Sequence, residues 1–368
     1  MTLKSLLIAA LLTFTTGASA AETWTYPYWS LQDYYLQFPK QKALSAALDA
    51  RVQHAAVPVK TLPEKPVSIM VVQPGKQTSD YWKSNIRVIS ERLKEMGMPF
   101  RLVVFDMRPD EEARKQESKI AQALRQHPDY IITTLDMLPS KRILDRILAD
   151  SHTKLILQNV TTPLKDWQDP HPLFYVGFDH QEGTRLLAQY YVKRLPFKSE
   201  FSVINWLPGY VSQARGDTFI NEVEQQGGWQ LESAFYSKGN RNSAYDIATH
   251  ILGDKPHPRV IFCAATDVAV GAAEAVAKLA PDEKIWLNGW GGGDIELQML
   301  KKREIMATVM RMNDDSGIAI AEVIAAHSQG KATPQVYSGK MTLITTETSS
   351  TEIQSLQQQA FRYSDHSF

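Results

Sequence analysis

The chain has a single cysteine, no net charge and no long apolar run, and each absence excludes a class of protein. The lone cysteine, Cys263, rules out an internal disulfide, and its apolar neighbours predict a buried strand position. With 40 basic and 40 acidic residues and no basic cluster, the sequence lacks the charge pattern of a nucleic-acid-binding protein. No segment after the N-terminus has the roughly 18 consecutive apolar residues that a membrane-spanning helix needs.

Motifs for catalysis are absent as well. The nine histidines are scattered, and the chain has neither an HExxH motif nor a Gly-X-Ser-X-Gly nucleophile turn. We therefore expect a protein that is not an enzyme and that has no metal site and no cofactor.

The N-terminus has the layout of a secretory signal peptide. Lys4 precedes an apolar run over 6–14, and the small residues of 17–20 follow. We predict a signal peptide over 1–20 and export of the remaining chain; the alternative is a buried N-terminal core helix. A chain of 368 residues also exceeds what one hydrophobic core usually serves, which predicts two domains.

From residue 67 onward, short apolar runs alternate with segments of helical spacing. The candidate strands are 67–73, 100–105, 130–134, 154–158, 174–176, 201–206, 231–236, 260–264, 284–288, 307–311 and 341–345. Strands that are apolar throughout are typical of parallel sheets covered by helices on both faces. So many strands predict two doubly wound α/β sheets, whose carboxyl-terminal edges would face each other across a cleft.

Polar side chains follow the candidate strands of the first half. Gln77, Ser79 and Trp82 come after the first strand and combine amide, hydroxyl and indole groups, which suit a ligand with hydroxyls. The alternative is that Ser79 only caps a helix and Trp82 only fills the core. Asn159 ends another strand and also opens an Asn-X-Thr glycosylation pattern, which we interpret as a coincidence.

The second half repeats this arrangement. Arg215 lies near a predicted helix start, where a cation is mildly disfavoured, so we interpret it as a candidate ligand contact. The alternative is that Arg215 is a solvated surface side chain. Thr266 and Asp267 follow the Cys263 strand, and Asp267 is interpreted as a helix N-cap, a ligand acceptor or both. Trp290 stands among glycines that leave its indole free to stack on a ring.

Two alternatives remain for this half. The glycine-rich segment 289–293 is a candidate phosphate cradle, although it matches neither the dinucleotide pattern nor a P-loop. Arg311 ends another candidate strand and is a candidate ligand contact. The alternative is that it forms a surface salt bridge.

Taken together, these segments closely resemble the LuxP family, the periplasmic autoinducer-2 receptors of vibrios, which are ribose-binding-protein-like type I periplasmic binding proteins. The matching motifs are VQPGKQTSDYW (72–82), LQNVTTP (157–163), VGFDH (176–180), RGDTFI (215–220), TDVA (266–269), NGWGGG (288–293) and VMRMNDD (309–315).

The resemblance implies two lobes joined by a multi-strand hinge and a location in the periplasm. With that fold we predict an N-terminal extension over 21–65, packed on the body by its aromatic residues. We predict a first lobe from 66–178 plus 293–336, and a second lobe from 179–292 plus 337–368.

The resemblance also implies the ligand autoinducer-2, a furanosyl borate diester whose boron belongs to the ligand, and a membrane hybrid sensor kinase, LuxQ, as partner. The implied ligand contacts are Gln77, Ser79, Trp82 and Asn159 on the first lobe, Arg311 from a return segment, and Arg215, Thr266, Asp267 and Trp290 on the second lobe.

Three rival functions remain open at this stage. The first is a pentose- or hexose-binding component of an uptake transporter, which requirement for borate would distinguish. The second is a sugar-processing enzyme. The third is a repressor with the same core, which would need a DNA-binding helix-turn-helix ahead of the first lobe.

Overall fold

The computed structural model describes residues 28–108, 113–135, 141–150, 152–253 and 255–364. The predicted signal peptide and the first residues of the predicted N-terminal extension lie outside these ranges. No helix among the described residues combines the length and the apolar character needed to cross a membrane.

The described residues form α-helices and β-strands in near-regular alternation. The helices are α1 (Leu31–Gln37), α2 (Pro39–Val52), α3 (Tyr81–Glu95), α4 (Ala113–Leu124), α5 (Lys141–Ala149), α6 (His180–Val192), α7 (Tyr210–Ser212), α8 (Thr218–Gly227), α9 (Arg241–Ile251), α10 (Thr266–Leu279), α11 (Asp294–Lys301), α12 (Asp314–Ser328) and α13 (Ser350–Ala360). The strands are β1 (Val67–Gln73), β2 (Phe100–Asp106), β3 (Tyr130–Thr133), β4 (Lys154–Gln158), β5 (Phe174–Phe178), β6 (Glu200–Asn205), β7 (Gln230–Tyr236), β8 (Val260–Cys263), β9 (Trp286–Leu287), β10 (Ala307–Arg311), β11 (Val336–Gly339) and β12 (Met341–Thr345).

The first lobe is built on a six-stranded parallel sheet in the order β11-β5-β4-β3-β1-β2. Alternate residues of β1 enter separate cores: Ile69 and Val71 pack on one face, and Met70 and Val72 on the other. Because helices cover both faces, the strand is apolar at consecutive positions, as predicted.

The second lobe is built on a four-stranded parallel sheet in the order β7-β6-β8-β9. Single bridges from Asn288 to Ala307 and from Gly291 to Met310 extend it to β10, which pairs antiparallel with β12. Cys263 ends β8 with no exposed surface, which confirms its predicted buried strand position. The predicted two-lobe α/β fold is confirmed.

Within the described residues, the chain crosses between the lobes three times before α13, and residues 362–364 after α13 contact the first lobe again. It leaves β5 for α6, leaves β10 for α12, and leaves β11 for β12. The predicted lobe boundaries at residues 293 and 337 are wrong, because α11 and β10 belong to the second lobe and all of β11 belongs to the first. Met299, Leu300 and Met310 share one core with β8 and α10, so the crossing falls after Arg311.

The predicted N-terminal extension contains two helices, α1 and α2, that were not predicted from the sequence. α2 is polar on most of its surface, and only Leu48 and Val52 are buried. These two residues join the first-lobe core, and polar contacts add to them: Asp49 accepts a hydrogen bond from the Tyr337 hydroxyl at 3.0 Å, and Gln41 accepts one from the backbone of Gln335 at 2.8 Å. A helix without an apolar stripe gives no periodic signal in the sequence.

Candidate ligand-binding cleft

All nine predicted contacts line one cavity between the facing edges of the two sheets. They are Gln77, Ser79, Trp82, Asn159, Arg215, Thr266, Asp267, Trp290 and Arg311. Most of them follow a strand of one sheet or the other, which is where the fold places its ligand edge. Their roles in binding a ligand stay predictions.

On the first lobe, the loop after β1 contributes polar groups and α3 contributes an indole. The Ser79 hydroxyl accepts a long hydrogen bond from the backbone N–H of Tyr81 at 3.4 Å, where α3 begins. Trp82 is buried, and its ring meets that of Tyr81 edge to face at 5.0 Å. Ser79 therefore makes a cap-like contact at the start of α3 and also lines the cavity. Trp82 is a buried core residue that lines the cavity as well.

Asn159 has a left-handed backbone, with φ +65°, directly after β4. Asparagine tolerates this conformation better than most residues do. Its side chain is buried, and the Oδ1 atom has no hydrogen-bond partner among the described residues. A buried amide in a cavity wall is a poor glycosylation acceptor and a good partner for a polar ligand.

Arg215 lies inside a continuous helical segment, and not near a helix start as predicted. A π-helical turn, Gln213–Asp217, joins α7 to α8, and such widened turns are frequent at functional sites. Gly216 is required there, because a Cβ atom would lie 1.9 Å from Oδ1 of Asn205.

The Arg215 guanidinium is buried, which excludes the solvated surface arginine. Its Nη1 donates to the Ala264 carbonyl at 2.7 Å, and Nε donates to Nδ1 of His180 at 3.3 Å. The guanidinium carbon lies 3.5 Å from the centroid of the Trp290 ring, in cation–π geometry.

The glycine-rich segment is organised around Glu296. The Glu296 carboxylate accepts the backbone N–H groups of Trp290 at 3.0 Å and Gly292 at 2.7 Å, as well as the Thr308 hydroxyl. Because this carboxylate occupies these N–H groups, the phosphate-cradle alternative does not fit. Gly292 has φ +71°, and a Cβ there would lie 2.3 Å from the Met310 Cα.

Arg311 ends β10 in a buried position, which excludes a surface salt bridge. Its guanidinium carbon lies 4.4 Å from the centroid of the Tyr81 ring and 6.0 Å from that of Trp290. Nε has no hydrogen-bond partner among the described residues. Burial lowers the pKa of Arg311, and the charges of Tyr81 and Glu296 oppose this shift.

Asp267 is the second residue of α10, and Ala265 holds the N-cap position, so the predicted N-cap role is wrong. The carboxylate instead accepts the backbone N–H and the hydroxyl of Thr78 from the first lobe. Burial raises the pKa of Asp267, and the hydrogen bonds from Thr78 oppose the shift. Asp267 thus joins the two lobes directly.

Four further residues organise the cavity and were not among the predicted contacts. They are Thr78, Tyr81, His180 and Glu296. The first three lie in the motifs quoted above, close behind strands, so their position was a usable signal. Glu296 gave no such signal, because it does not directly follow a strand and is one of two acidic residues in the first turn of α11.

The chain is similar to curated sugar-binding proteins over part of its length. It is 30% identical over 96 residues to the D-allose-binding periplasmic protein of Escherichia coli strain K12, covering 26% of this chain and 31% of the relative. It is 25% identical over 144 residues to the D-ribose/D-allose-binding protein of Pseudomonas aeruginosa, covering 36% and 42%. The matches thus span less than half of each relative.

Solved structures show the same fold over most of the chain. A carbohydrate transporter solute-binding protein from Agrobacterium radiobacter, in complex with D-arabinose, has a TM-score of 0.70 at 18% identity, covering 80% of this chain and 99% of that one. An ABC transporter periplasmic solute-binding protein from Actinobacillus succinogenes, with bound D-allose, has a TM-score of 0.67 at 18% identity, covering 79% and 100%.

A family model described as a periplasmic binding protein domain matches residues 69–332. This match includes all nine predicted contacts, the whole four-stranded sheet of the second lobe and every strand of the first-lobe sheet except β11. Since it spans well over half of the 368 residues, the chain belongs to the periplasmic binding protein family.

Proposed function

We propose that the chain is a binding protein, not an enzyme, whose two lobes close in the periplasm on a small cyclic polyol. The cavity wall supplies amide, hydroxyl, carboxylate and guanidinium groups, and the indole of Trp82 suits a ring face, whereas Arg215 lies over the Trp290 indole. The relatives named for D-allose and D-ribose support a ligand of this class.

The charge of the wall supports a more specific ligand. Arg215 and Arg311 are both buried, and both guanidiniums lie within 6.0 Å of the Trp290 ring centroid. This pair is the observation that carries the proposal. The nearby carboxylates of Asp267 and Glu296 are each engaged by hydrogen-bond donors of the protein.

An anionic ligand would relieve the unfavourable burial of these cations. Burial lowers the pKa of Arg311, so its charge is not fully compensated by the protein. Hydrogen bonds to charged groups contribute about 1.5 to 3 kcal/mol each. A furanosyl borate diester is a monoanionic ring rich in hydroxyls, and we propose autoinducer-2 as this ligand.

Under this proposal, lobe closure is the signal. A ligand that contacts both lobes binds the closed form better and shifts the open–closed equilibrium towards it. The membrane hybrid sensor kinase LuxQ would then read the closed form in quorum sensing.

The second candidate is a pentose- or hexose-binding component of an uptake transporter. The names of the relatives and the sugars bound in the similar structures favour this candidate over the signalling function. Arginine, aspartate and tryptophan side chains also bind neutral sugars, so the wall is compatible with it.

Calorimetry separates the two candidates. The purified protein is titrated with the autoinducer-2 precursor dione with and without borate, and with D-ribose, D-allose and D-arabinose. Tight binding that requires borate would establish the receptor function. Tight binding of a sugar without borate would establish the uptake function, and no binding of any probe would contradict both.

A further inference from the structure

His180 occupies the point where the chain crosses from the first lobe to the second. It is the first residue of α6, follows β5 by two positions, and has no exposed surface. Its Nε2 lies 3.1 Å from the carbonyl oxygen of Asn159. Its Nδ1 lies 3.3 Å from Nε of Arg215 and 3.2 Å from Nη2 of the same residue.

These contacts define the tautomer of the imidazole. A guanidinium only donates hydrogen bonds, so Nδ1 must carry a lone pair towards Arg215. A carbonyl oxygen only accepts, so Nε2 must carry the hydrogen that points at Asn159. The neutral Nε2–H form alone satisfies both partners, because a second ring proton would face the guanidinium.

We propose that His180 is a positioning residue that orients Asn159 and Arg215, one cavity-wall residue from each side of the hinge, and does so only as the neutral Nε2–H tautomer. This proposal rests on the proposed function of the cavity as the ligand site. His180 itself lies behind the wall and does not line the cavity.

The Arg215 guanidinium also contacts groups of the second lobe. Besides His180, the Ala264 carbonyl and the Trp290 ring contact the guanidinium. The His180 ring packs against Trp290 as well, with centroids 5.2 Å apart. Removal of the imidazole would therefore release Arg215 on one side and the carbonyl of the left-handed Asn159 on the other.

The surroundings of His180 favour its neutral form. Burial, and then the charge of Arg215, hold the pKa of His180 well below its ordinary value; the hydrogen bond to Asn159 opposes the shift, and Arg311 adds to it. The Tyr210 ring, 5.6 Å away, is neutral because burial raises its pKa to about 12. The neighbouring Asp179 carboxylate caps α6 by accepting the N–H groups of residues 181 and 182.

Two substitutions separate hydrogen bonding from packing. In His180→Gln, the amide oxygen can accept from Arg215 while the amide nitrogen donates to Asn159. In His180→Phe, the ring packing remains and both hydrogen bonds are lost. His171→Gln, at an exposed histidine, serves as the control.

Affinities are measured by calorimetry with the borated dione and with D-ribose, for variants whose thermal unfolding confirms folding. We expect the glutamine variant to bind within about threefold of the wild type and the phenylalanine variant at least tenfold more weakly. If the phenylalanine variant binds as tightly as the wild type, the positioning role is overturned. If the wild type binds neither probe, the proposed function fails and the positioning role fails with it.

Nitrogen NMR of ¹⁵N-histidine-labelled, ligand-free protein gives an independent result. The His180 signal is assigned by its loss in the glutamine variant. We expect one protonated and one unprotonated ring nitrogen that do not titrate between pH 8 and pH 5. A signal that titrates near the ordinary histidine pKa of about 6.5 would overturn the proposed tautomer.

Discussion

Thr78 of the first lobe donates its backbone N–H and its hydroxyl to the carboxylate of Asp267 in the second lobe, with the nitrogen 3.2 Å from Oδ2 and 3.3 Å from Oδ1. Both residues are at the cleft, and no other part of the chain intervenes. This contact therefore stabilises the closed arrangement directly and depends on the separation of the lobes.

Thr78→Val removes the hydroxyl donor and keeps the side-chain shape and the backbone N–H. Because a hydrogen bond to a charged group contributes about 1.5 to 3 kcal/mol, and part of the contact remains, we expect ligand affinity to fall roughly three- to tenfold. Calorimetry measures the change, with Thr61→Val at an exposed position as the control. Small-angle scattering should show a larger radius of gyration for ligand-free Thr78→Val, and unchanged affinity would mean that the contact does not stabilise closure.

The pH dependence of stability should reveal the burial of Asp267. Its pKa is raised by burial, so the folded protein takes up this proton at higher pH than the unfolded chain does. The stability from this group is fully present below the ordinary aspartate pKa of about 3.9 and is lost as pH rises through the raised value. Asp267→Asn has no such loss.

We therefore expect the melting temperature of Asp267→Asn, relative to the wild type, to be higher at pH 7 than at pH 4. Thermal unfolding of both proteins across this range measures the difference. A melting-temperature difference that stays constant with pH would contradict the raised pKa of Asp267. A difference that shrinks as pH rises would mean that the pKa of Asp267 is lowered in the folded protein.

The two buried arginines should each be needed for an anionic ligand. We expect Arg215→Ala and Arg311→Ala to weaken binding of the borated dione at least tenfold, because each removes a charge-assisted contact in a water-excluded site. Arg185→Ala, which removes an exposed ion pair with Glu222, is the matched control and should bind normally. Full binding by both cavity variants would exclude the two-arginine site.

Charge alone should not replace Arg311. Its planar guanidinium lies against the Tyr81 ring, a contact that the ammonium group of lysine does not reproduce. We expect Arg311→Lys to lose most of the affinity that Arg311→Ala loses. Calorimetry with the borated dione measures this affinity. If Arg311→Lys binds as tightly as the wild type, only the charge of Arg311 matters.

The N-terminal helices should be anchored by Arg92. This buried guanidinium donates to Glu322, to the Tyr363 hydroxyl and to the carbonyls of Arg51 and His54. Removing one partner of a buried ion pair costs about 3 to 5 kcal/mol, so Arg92→Met should lower the melting temperature by several degrees.

The double variant Arg92→Met with Glu322→Gln tests the cause of that loss. It removes the charge of the Glu322 carboxylate, which in the single variant keeps only the half-exposed Arg51 as a cationic partner, and should recover part of the stability. Thermal unfolding compares the single variant, the double variant and the wild type. If the single variant is as stable as the wild type, or the double variant is no better than the single, the anchoring role of this pair is excluded.

Most of the strands could be predicted from the apolar pattern of the sequence, and each wrong or missing prediction has a physical cause. Consecutive apolar residues in β1 and β8 predicted buried parallel strands because helices cover both faces of each sheet. β11 was missed because only its first two residues, Val336 and Tyr337, are apolar and because it depends on pairing with β5. The boundary at residue 293 was wrong because only tertiary contacts assign α11 and β10 to a lobe.

The members of the site were predictable, and their contacts were not. Polar residues behind strands identified the cavity wall, since the carboxyl-terminal edges of parallel strands converge. The pairing of Asp267 with Thr78 joins residues 189 positions apart, and no local pattern encodes it. The π-helical turn at Arg215 also depends on the close approach of Gly216 to Asn205.

Alkylation of the single cysteine, which lies in the second lobe, can be used to measure unfolding of the native protein. Cys263 is fully buried, and burial raises the pKa of its thiol, so the native protein resists alkylation. Its labelling rate would report only openings large enough to expose β8. Cysteines introduced on the two cleft rims would be the only thiols free to react with dyes, so fluorescence transfer between them could follow single closures without removal of the native cysteine.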